Sequence, residues 1–303
     1  MRNAAFSEVV DSALSDPRII FVASDISEES VARFRKEVPQ QILMEGIAEA
    51  HLIGMSSGLA KEGNIVFVNT ISAFLTKRCF EQIEINVCLE NANVKMLSQG
   101  GGIIYSGQGP SHHALNDLAL MRSLPNMTVL TPCDVAQVRE CVQFAVKHQG
   151  PVYIRLGKGS EKVVSTKFPF DFGKPIVFKQ PGDTVFISFG TMVTTALEVS
   201  ERILGSGVVG IHTIKPFCHF ELAKIIDEVS RVIIIEEHFE TGGLSSCVAE
   251  TIAKYCRKKP KFMNFSLNDS FVRQYGTHDE LLKLHGLDSE SIYQQVLSEG
   301  HFS

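Results

Sequence analysis

The sequence predicts an α/β protein built from two doubly wound domains. Short runs of β-branched and aromatic residues alternate with helix-length segments along the whole chain. These runs are continuously apolar, which is typical of parallel strands buried on both faces. A stretch at about 160–182 carries three prolines and no helical period, and it interrupts the alternation. We therefore expect one domain at 1–160, a linker or small edge element at 161–181 and a second domain at 182–303.

The first half supplies five predicted strands. They are RIIFVAS, NIVFVNT, NVKMLS, MTVLT and PVYIR. Helical patterns at 45–60 and 113–122 lie between them, and this alternation indicates βαβ units around a parallel sheet.

A second series follows the linker. Its predicted strands are TVFISFG, VVGIH, RVIIIEE and KFMNFSL. Helices are expected at 192–204 and 244–254, and two short helices at 279–284 and 289–297 end the chain. Asp288 stands at the position of an N-cap for the last of them.

Composition excludes several classes of protein. A length of 303 residues suits about two domains, and a net charge of -5 argues against a nucleic-acid binder. No apolar run approaches the roughly 18 residues of a membrane span. The N-terminal segment MRNAAFSEVVDSAL carries acidic residues and is not a signal peptide. Seven scattered cysteines without a CxxC pair indicate reduced thiols. We expect a cytoplasmic protein without a metal site of its own.

Glu49 lies in GIAEAHLIGMSSGLA, which is expected to open a helix rich in small residues. Gly54 and Gly58 stand one turn apart there, so another helix or chain can approach closely. Two interpretations of Glu49 follow. Its carboxyl group is either buried, where it can share a proton with a ligand nitrogen, or solvated at the helix N-terminus and favoured by the dipole.

A glycine-rich stretch, GGGIIYSGQGPSHH, follows a predicted strand. It is neither a GxGxxG motif nor a P-loop, but it lets backbone approach a ligand at the carboxyl edge of a sheet. His112 and His113 are expected to begin a helix, where imidazoles can donate hydrogen bonds or relay protons. A metal site is the competing interpretation. It is weakened because adjacent side chains diverge on a helix and no third ligand is in view.

A third stretch, FLTKRCFEQ, combines aromatic and basic residues after a strand. Phe74 either stacks on a flat ring or packs in the core. By themselves, the three stretches indicate a site for an anionic or hydroxylated small molecule and do not define a reaction.

Together these motifs are far more specific. GIAEAHLIGMSSGLA, TISAFLTKRCFEQI, GQGPSHHALNDLALMRSLPNMTVLTPCD and GPVYIRLGKG resemble the pyrimidine-binding domain of transketolases and deoxyxylulose-phosphate synthases. FGTMVTTALE, HTIKPF, IIIEEHFETGGLSSCVAE and YGTHDELLKLHGLDSESI are similar to the C-terminal domain of the same family. The resemblance covers essentially the whole chain, in the family's order.

The resemblance implies a thiamin diphosphate enzyme in which this chain holds the pyrimidine half of the cofactor. Glu49 would bond N1′ of the aminopyrimidine. Ile47 would lie beneath the bent cofactor, Phe74 would stack on the pyrimidine ring, and Asp25 would lie near the thiazolium.

The resemblance also implies a set of substrate residues. His112 would act at the reacting carbons, where it can stabilise alkoxide charge. Arg2 and Lys158 stand where the family has basic residues for a sugar phosphate, and Gln108 and Arg78 complete the expected set.

One part of the family pattern is missing. Family members bind the diphosphate and metal through a GDG motif in a separate N-terminal domain, and no GDG occurs here. We therefore expect an N-terminal transketolase subunit as partner, which would supply the diphosphate-binding domain and hold Mg²⁺ or Ca²⁺. Because the family builds its site across a dimer interface, the expected assembly is α2β2.

Three departures concern sugar-contacting positions. Gln108 replaces a family aspartate, Gly100 a histidine and Ile71 an aromatic residue. The expected function is transfer of a two-carbon ketol unit from a ketose to an aldose, with an unusual sugar or sugar phosphate as substrate. The alternatives are a deoxyxylulose-phosphate-synthase-like subunit, an E1 β-like subunit and a non-catalytic scaffold. The GPSHHALNDLALMR run favours transketolase over E1 β.

Overall fold

The structure is a computed structural model that describes residues 1–24, 26–157 and 162–300. Within these ranges the structure has twelve strands, six in each half of the chain. Those of the first half are β1 (Ile19–Ser24), β2 (Ile42–Glu45), β3 (Ile65–Ile71), β4 (Val94–Gln99), β5 (Thr128–Leu130) and β6 (Val152–Leu156). Its helices are α1 (Arg2–Ala13), α2 (Glu28–Glu37), α3 (Glu49–Lys61), α4 (Ser72–Arg78), α5 (Phe80–Gln82), α6 (Asp117–Ser123) and α7 (Val135–Lys147). A π-helical segment, Ile83–Leu89, continues α5.

The second half contains six further strands: β7 (Ile176–Lys179), β8 (Thr184–Ser188), β9 (Ser206–Gly210), β10 (Thr213–Lys215), β11 (Arg231–Phe239) and β12 (Lys261–Leu267). Its helices are α8 (Met192–Glu201), α9 (His219–Ile226), α10 (Leu244–Tyr255), α11 (His278–Leu284) and α12 (Ser289–Gly300). Asp288 caps α12, since its Oδ1 accepts hydrogen bonds from the amides of Glu290 and Ser291.

These strands form two mixed sheets, which confirms the predicted α/β class. The first has the order β10-β5-β6-β4-β3-β1-β2, and every pairing is parallel except that of β10 with β5. The second has the order β12-β11-β8-β9-β7, and only β7 runs antiparallel to its neighbour. The strands predicted from apolar runs all appear, because burial on both faces selects that composition.

Strand β10 connects the second half of the chain to the first sheet. It belongs to the second half of the sequence, yet it extends the first sheet as an edge strand beside β5. A segment of three residues carries too little pattern to predict such a crossing. The predicted linker also contains β7, which forms the edge of the second sheet, so the edge-element interpretation of this segment is correct.

Two predicted helices begin later than expected. The pattern starting at Glu45 includes the end of strand β2, and α3 begins only at Glu49. The helix expected from His113 begins at Asp117, so the paired histidines precede it in irregular structure. In both places Gly or Pro punctuation and polar residues allow a turn that apolar periodicity does not reveal. In the ranges that the structure describes, no helix is both long and apolar enough to cross a bilayer.

Candidate functional site

The carboxyl ends of β1, β3 and β4 open onto a cavity of about 310 Å³. Ligands bind at this edge in open α/β sheets, because loops there diverge from adjacent strands. Five residues predicted from the sequence line the cavity: Arg2, Ile47, Glu49, Phe74 and Gln108. The cavity therefore gathers residues from α1, the segment before α3, helix α4 and the glycine-rich stretch.

Glu49 is the first residue of α3 and is only 5% exposed, so the buried interpretation is correct. Both of its carboxylate oxygens accept hydrogen bonds from Arg78 Nη1, at 3.1 and 3.2 Å. Ile47, two residues earlier, is 66% exposed at the cavity. An acidic group, a cation and an exposed apolar side chain thus lie side by side.

Phe74 connects this acidic group to His112. The guanidinium carbon of Arg78 lies 3.8 Å from the centroid of the Phe74 ring, a cation–π contact. The His112 ring also lies edge-on to Phe74, with centroids 4.8 Å apart. Ser111 Oγ lies 3.0 Å from His112 Nδ1, so the second ring nitrogen, Nε2, is the one that can act on a substrate oxygen. Phe74 therefore lies at the ligand cavity and not in the core.

The glycine-rich stretch adopts conformations that require glycine at several positions. Gly100, Gly102 and Gly109 have φ angles of +73°, +78° and +75°, a region that side chains other than glycine rarely adopt. The chain thereby turns sharply after β4 and returns past the cavity to His112.

His113 turns away from the site. It is buried, neither of its ring nitrogens has a hydrogen-bond partner, and burial lowers the pKa of this imidazole. The neighbouring histidines therefore differ in position, because His112 contacts Phe74, a residue of the cavity lining, while His113 is buried. Within the described ranges, no group of three or more His, Cys, Asp or Glu side chains is arranged to hold a metal ion.

The second half of the chain holds the glycine-rich stretch in place. Glu237, on β11, accepts a hydrogen bond from the amide of Ile103 at 2.6 Å, and its Oε1 lies 3.0 Å from His278 Nε2. A Cβ atom on Gly102 would lie 2.3 Å from the same carboxylate oxygen. The loop that carries the site thus depends on a residue about 130 positions later, which sequence patterns did not indicate.

A buried ion pair supports the same loop from beneath. Arg155 donates from Nε to Asp117 Oδ2 at 2.8 Å and from Nη2 to Asp117 Oδ1 at 3.1 Å. The same Nη2 also donates to the carbonyl oxygens of Ala114 and Glu237. Asp117 further accepts a hydrogen bond from Tyr153 at 2.7 Å. One guanidinium therefore joins β6, the loop before α6 and β11.

The amides of the GGLSSC turn have acceptors within the chain itself. The amides of Leu244 and Ser245, at the start of α10, donate to the carboxylate of Glu236. Burial raises the pKa of this carboxyl to about 7, although the hydrogen bonds act in the opposite direction. The helix N-terminus therefore binds a side chain of its own chain.

Two predicted site residues, Asp25 and Lys158, lie outside the described residues. The cavity also contains polar residues that sequence reasoning did not select, notably Gln99 and Tyr105. The available signal was the position of Tyr105 inside the glycine-rich stretch, just after the departure at Gly100.

Comparisons with known proteins agree with this geometry. Residues 1–162 match the family model "Transketolase, pyrimidine binding domain", and residues 173–292 match "Transketolase, C-terminal domain". A putative transketolase C-terminal section from Methanocaldococcus jannaschii is 32% identical, over 99% of this chain and 96% of that protein. The 6-deoxy-6-sulfo-D-fructose transketolase subunit SqwH of a Clostridium species is 31% identical, over 96% of this chain and 92% of that protein.

A solved structure described as a split gene transketolase, inactive β4 tetramer, superposes with a TM-score of 0.88. It is 32% identical and covers 98% of this chain and 96% of its own. The chain therefore belongs to the transketolase family and is similar, over nearly its whole length, to the C-terminal part of split transketolases.

Proposed function

We propose that this chain, with its partner subunit, transfers a two-carbon ketol unit from a ketose donor to an aldose acceptor. The observation that carries this proposal is the position of Glu49. Its carboxylate is buried at the base of the cavity, with Phe74 beside it and His112 beyond. A buried carboxyl group next to an aromatic face suits a flat, nitrogen-containing ring.

The residues fit the aminopyrimidine of thiamin diphosphate. Glu49 offers oxygens that can share a proton with a ring nitrogen, and Phe74 offers a ring for stacking. The exposed Ile47 side chain gives an apolar surface that a cofactor would cover. Thiamin diphosphate, when bound, supplies the nucleophilic carbon that accepts the two-carbon unit.

The side chains of this chain would have different roles in the reaction. Glu49 would hold the proton at the ring nitrogen. His112 Nε2 would hydrogen-bond a substrate oxygen and stabilise negative charge on it as the carbon–carbon bond breaks. Arg2 and Gln108, which line the cavity, would bind and orient the sugar or its phosphate.

Arg78 lies beside Glu49 in this structure. It was predicted to contact substrate, but its guanidinium contacts Glu49 and the Phe74 ring. A ring nitrogen that bonds to Glu49 would have to share or replace this guanidinium. We infer that Arg78 neutralises Glu49 until the cofactor arrives, and that its half-exposed side chain then turns toward the substrate.

The partner subunit would contribute the diphosphate site and the Mg²⁺ or Ca²⁺ ion, in an α2β2 assembly within the cytoplasm. The description of the similar split transketolase as an inactive β4 tetramer supports the need for a second kind of subunit. The sugar is proposed to differ from the common pentose phosphates, because Gly100 and Gln108 depart from the family pattern. The relative that acts on a sulfo-sugar is consistent with such variety.

The test begins with the intact pair of subunits. The chain is co-expressed with the N-terminal-type transketolase subunit of the same organism, and thiamin diphosphate with Mg²⁺ is titrated by calorimetry. The pair is then assayed with ketose donors and aldose acceptors, with and without pyruvate. Glu49→Gln is expected to lower kcat by about 10²–10⁴-fold, since proton transfer at the ring nitrogen is lost.

Glu62→Gln is the matched control, because Glu62 is an exposed glutamate at the opposite end of α3. It should leave cofactor affinity and turnover unchanged. A requirement for pyruvate would favour a deoxyxylulose-phosphate-synthase-like reaction. Cofactor binding by this chain alone would contradict the proposal that two subunits share the cofactor site. Full activity of the pair with Glu49→Gln would favour the interpretation of this chain as a non-catalytic scaffold.

A further inference from the structure

We propose that Tyr105 is a sugar-contacting residue that sets substrate specificity, and that position 100 is glycine because the Tyr105 ring occupies the space of a side chain there. The proposal rests on the proposed function, since it concerns the sugar bound at the same cavity. It assigns a specificity role to a pair of residues, one of which lies directly after β4 and the other in the loop that follows.

Tyr105 packs directly against Gly100. A Cβ atom built on Gly100 would lie 2.1 Å from Cε2 and 2.4 Å from Cδ2 of the Tyr105 ring. No side chain tolerates such distances, so either the ring or the backbone would have to move. Gly100 also has a φ angle of +73°. The ring therefore occupies this wall of the cavity only because residue 100 lacks a side chain.

Polar residues surround Tyr105 at the cavity. Tyr105 lines the cavity with Arg2 and Gln108, and its hydroxyl lies 3.4 Å from Gln99 Oε1. Gln99 is itself buried and donates a hydrogen bond to Asn69. A series of hydrogen bonds thus runs from Asn69 in the sheet through Gln99 to Tyr105 at the cavity wall.

Tyr105 lies near His112, the residue proposed to contact the reacting carbons of the substrate. The centroids of the two rings lie 6.4 Å apart in an edge-to-face arrangement. Burial raises the pKa of the Tyr105 phenol and the charge of Arg2 acts against this, so the neutral hydroxyl is the form present near pH 7. A neutral phenol both donates and accepts hydrogen bonds, which suits a polyhydroxylated carbon chain.

These properties define what the pair would select. The ring narrows the cavity beside Gly100, and the hydroxyl offers a hydrogen bond to a sugar hydroxyl on the chain that extends from the carbons held by His112. A sugar that places a hydroxyl there is favoured. One that places a bulky group there is excluded by the ring.

The experiment uses the two-subunit enzyme loaded with thiamin diphosphate. Wild type is compared with Tyr105→Phe, Tyr105→Ala, Gly100→Ala and the double variant Gly100→Ala/Tyr105→Ala. The dissociation constants of D-xylulose 5-phosphate, D-fructose 6-phosphate, D-ribose 5-phosphate and the free sugars are measured by calorimetry. KM and kcat are measured for every sugar that is turned over. Tyr293→Phe is the control, because that ring packs on Arg202 at the other end of the chain.

Tyr105→Phe should weaken the best-bound sugar about tenfold, as expected for one lost hydrogen bond to a ligand. Tyr105→Ala should reorder the affinities of the panel. Gly100→Ala should reproduce that new order, because its methyl group displaces the ring. In the Tyr105→Ala background, Gly100→Ala should leave the order unchanged, since no ring remains to be displaced. Cofactor affinity should stay constant throughout.

Three results would overturn the proposal. They are an unchanged order of affinities in every variant, different effects of Gly100→Ala and Tyr105→Ala, and no sugar binding by wild type. Melting temperatures identify any variant that fails to fold, and Tyr105→Phe still tests the hydroxyl in that event. A pair that binds sugars but no thiamin diphosphate would contradict the proposed function while the sugar affinities still test the role of Tyr105.

Discussion

The buried ion pair between Asp117 and Arg155 provides a quantitative test of how the site loop is supported. Asp117 is fully buried and Arg155 nearly so, and two hydrogen bonds join them. Tyr153 donates to the same carboxylate, so the Asp117 carboxylate accepts three hydrogen bonds. The perturbation is Asp117→Leu, which removes the carboxylate and leaves a buried guanidinium without its counter-ion.

The expected cost follows from burial. Breaking a buried pair by removing one partner costs about 3–5 kcal/mol, because the remaining charge stays desolvated. For a chain of this size that corresponds to a fall in Tm of roughly 5–15 °C. Arg155→Met should cost a similar amount, since it leaves the carboxylate unpaired. The double variant removes both charges and should cost about 2–3 kcal/mol less than the sum of the single variants.

The sign of the pH dependence gives a second readout. Burial by itself would raise the pKa of Asp117, but the charge and hydrogen bonds of Arg155 outweigh it and hold the pKa below its usual value. A carboxyl group with a depressed folded pKa stabilises the fold above the unfolded pKa of about 4. This stabilisation is lost as pH falls through the folded pKa, so the double variant should lose less stability than wild type on acidification.

The assay is urea unfolding of the four proteins at pH 7 and at about pH 3, which is below the unfolded pKa of an aspartate, and unfolding is followed by far-UV circular dichroism. Arg202→Met provides a control, because that guanidinium pairs with Glu290 at the surface and should cost no more than about 1 kcal/mol. Additive single-variant costs, or a surface control as costly as Asp117→Leu, would refute the reasoning that desolvated charge determines the loss.

Two further predictions concern a buried cation and the site loop. Burial lowers the pKa of Lys95 to about 7. The unfolded chain keeps this proton up to about pH 10.4, so the free energy of unfolding of wild type should rise between pH 7 and that value by up to about 1.4 kcal/mol per pH unit. Denaturant titrations should show that Lys95→Met lacks this contribution to the pH dependence. Gly102→Ala should lower Tm and kcat together, since its methyl group meets the Glu237 carboxylate and φ is positive. Gly107→Ala, where a Cβ meets nothing within 4 Å, should leave both unchanged in the same melting and turnover assays.

Much of the fold could be predicted because it depends on local pattern. Buried parallel strands are continuously apolar, and the run IVFVN of β3 has that composition whatever lies beside it. The last helix was found from its N-cap, Asp288, and its apolar spacing. The edge strand β2 (Ile42–Glu45) was missed because only one side of it pairs, and its residues are partly exposed.

Five residues that the sequence analysis selected lie together in the structure, and their roles toward cofactor and substrate stay predictions. Ile47, Glu49, Phe74, Gln108 and Arg2 share one cavity, as the resemblance to transketolases implied. Their grouping follows from parallel topology, which brings the ends of β1, β3 and β4 to one edge.

The sequence by itself determined the α/β class, the family and five of the residues that line the cavity, because burial periodicity and motif order are properties of neighbouring positions. The tertiary structure alone decided that Arg78 pairs with Glu49, that Tyr105 fills the space beside Gly100, and that Glu237 holds the loop. Each of these contacts depends on distances and directions across the assembled fold. Composition and spacing do not define such directions, because many different packings are compatible with the same composition and spacing.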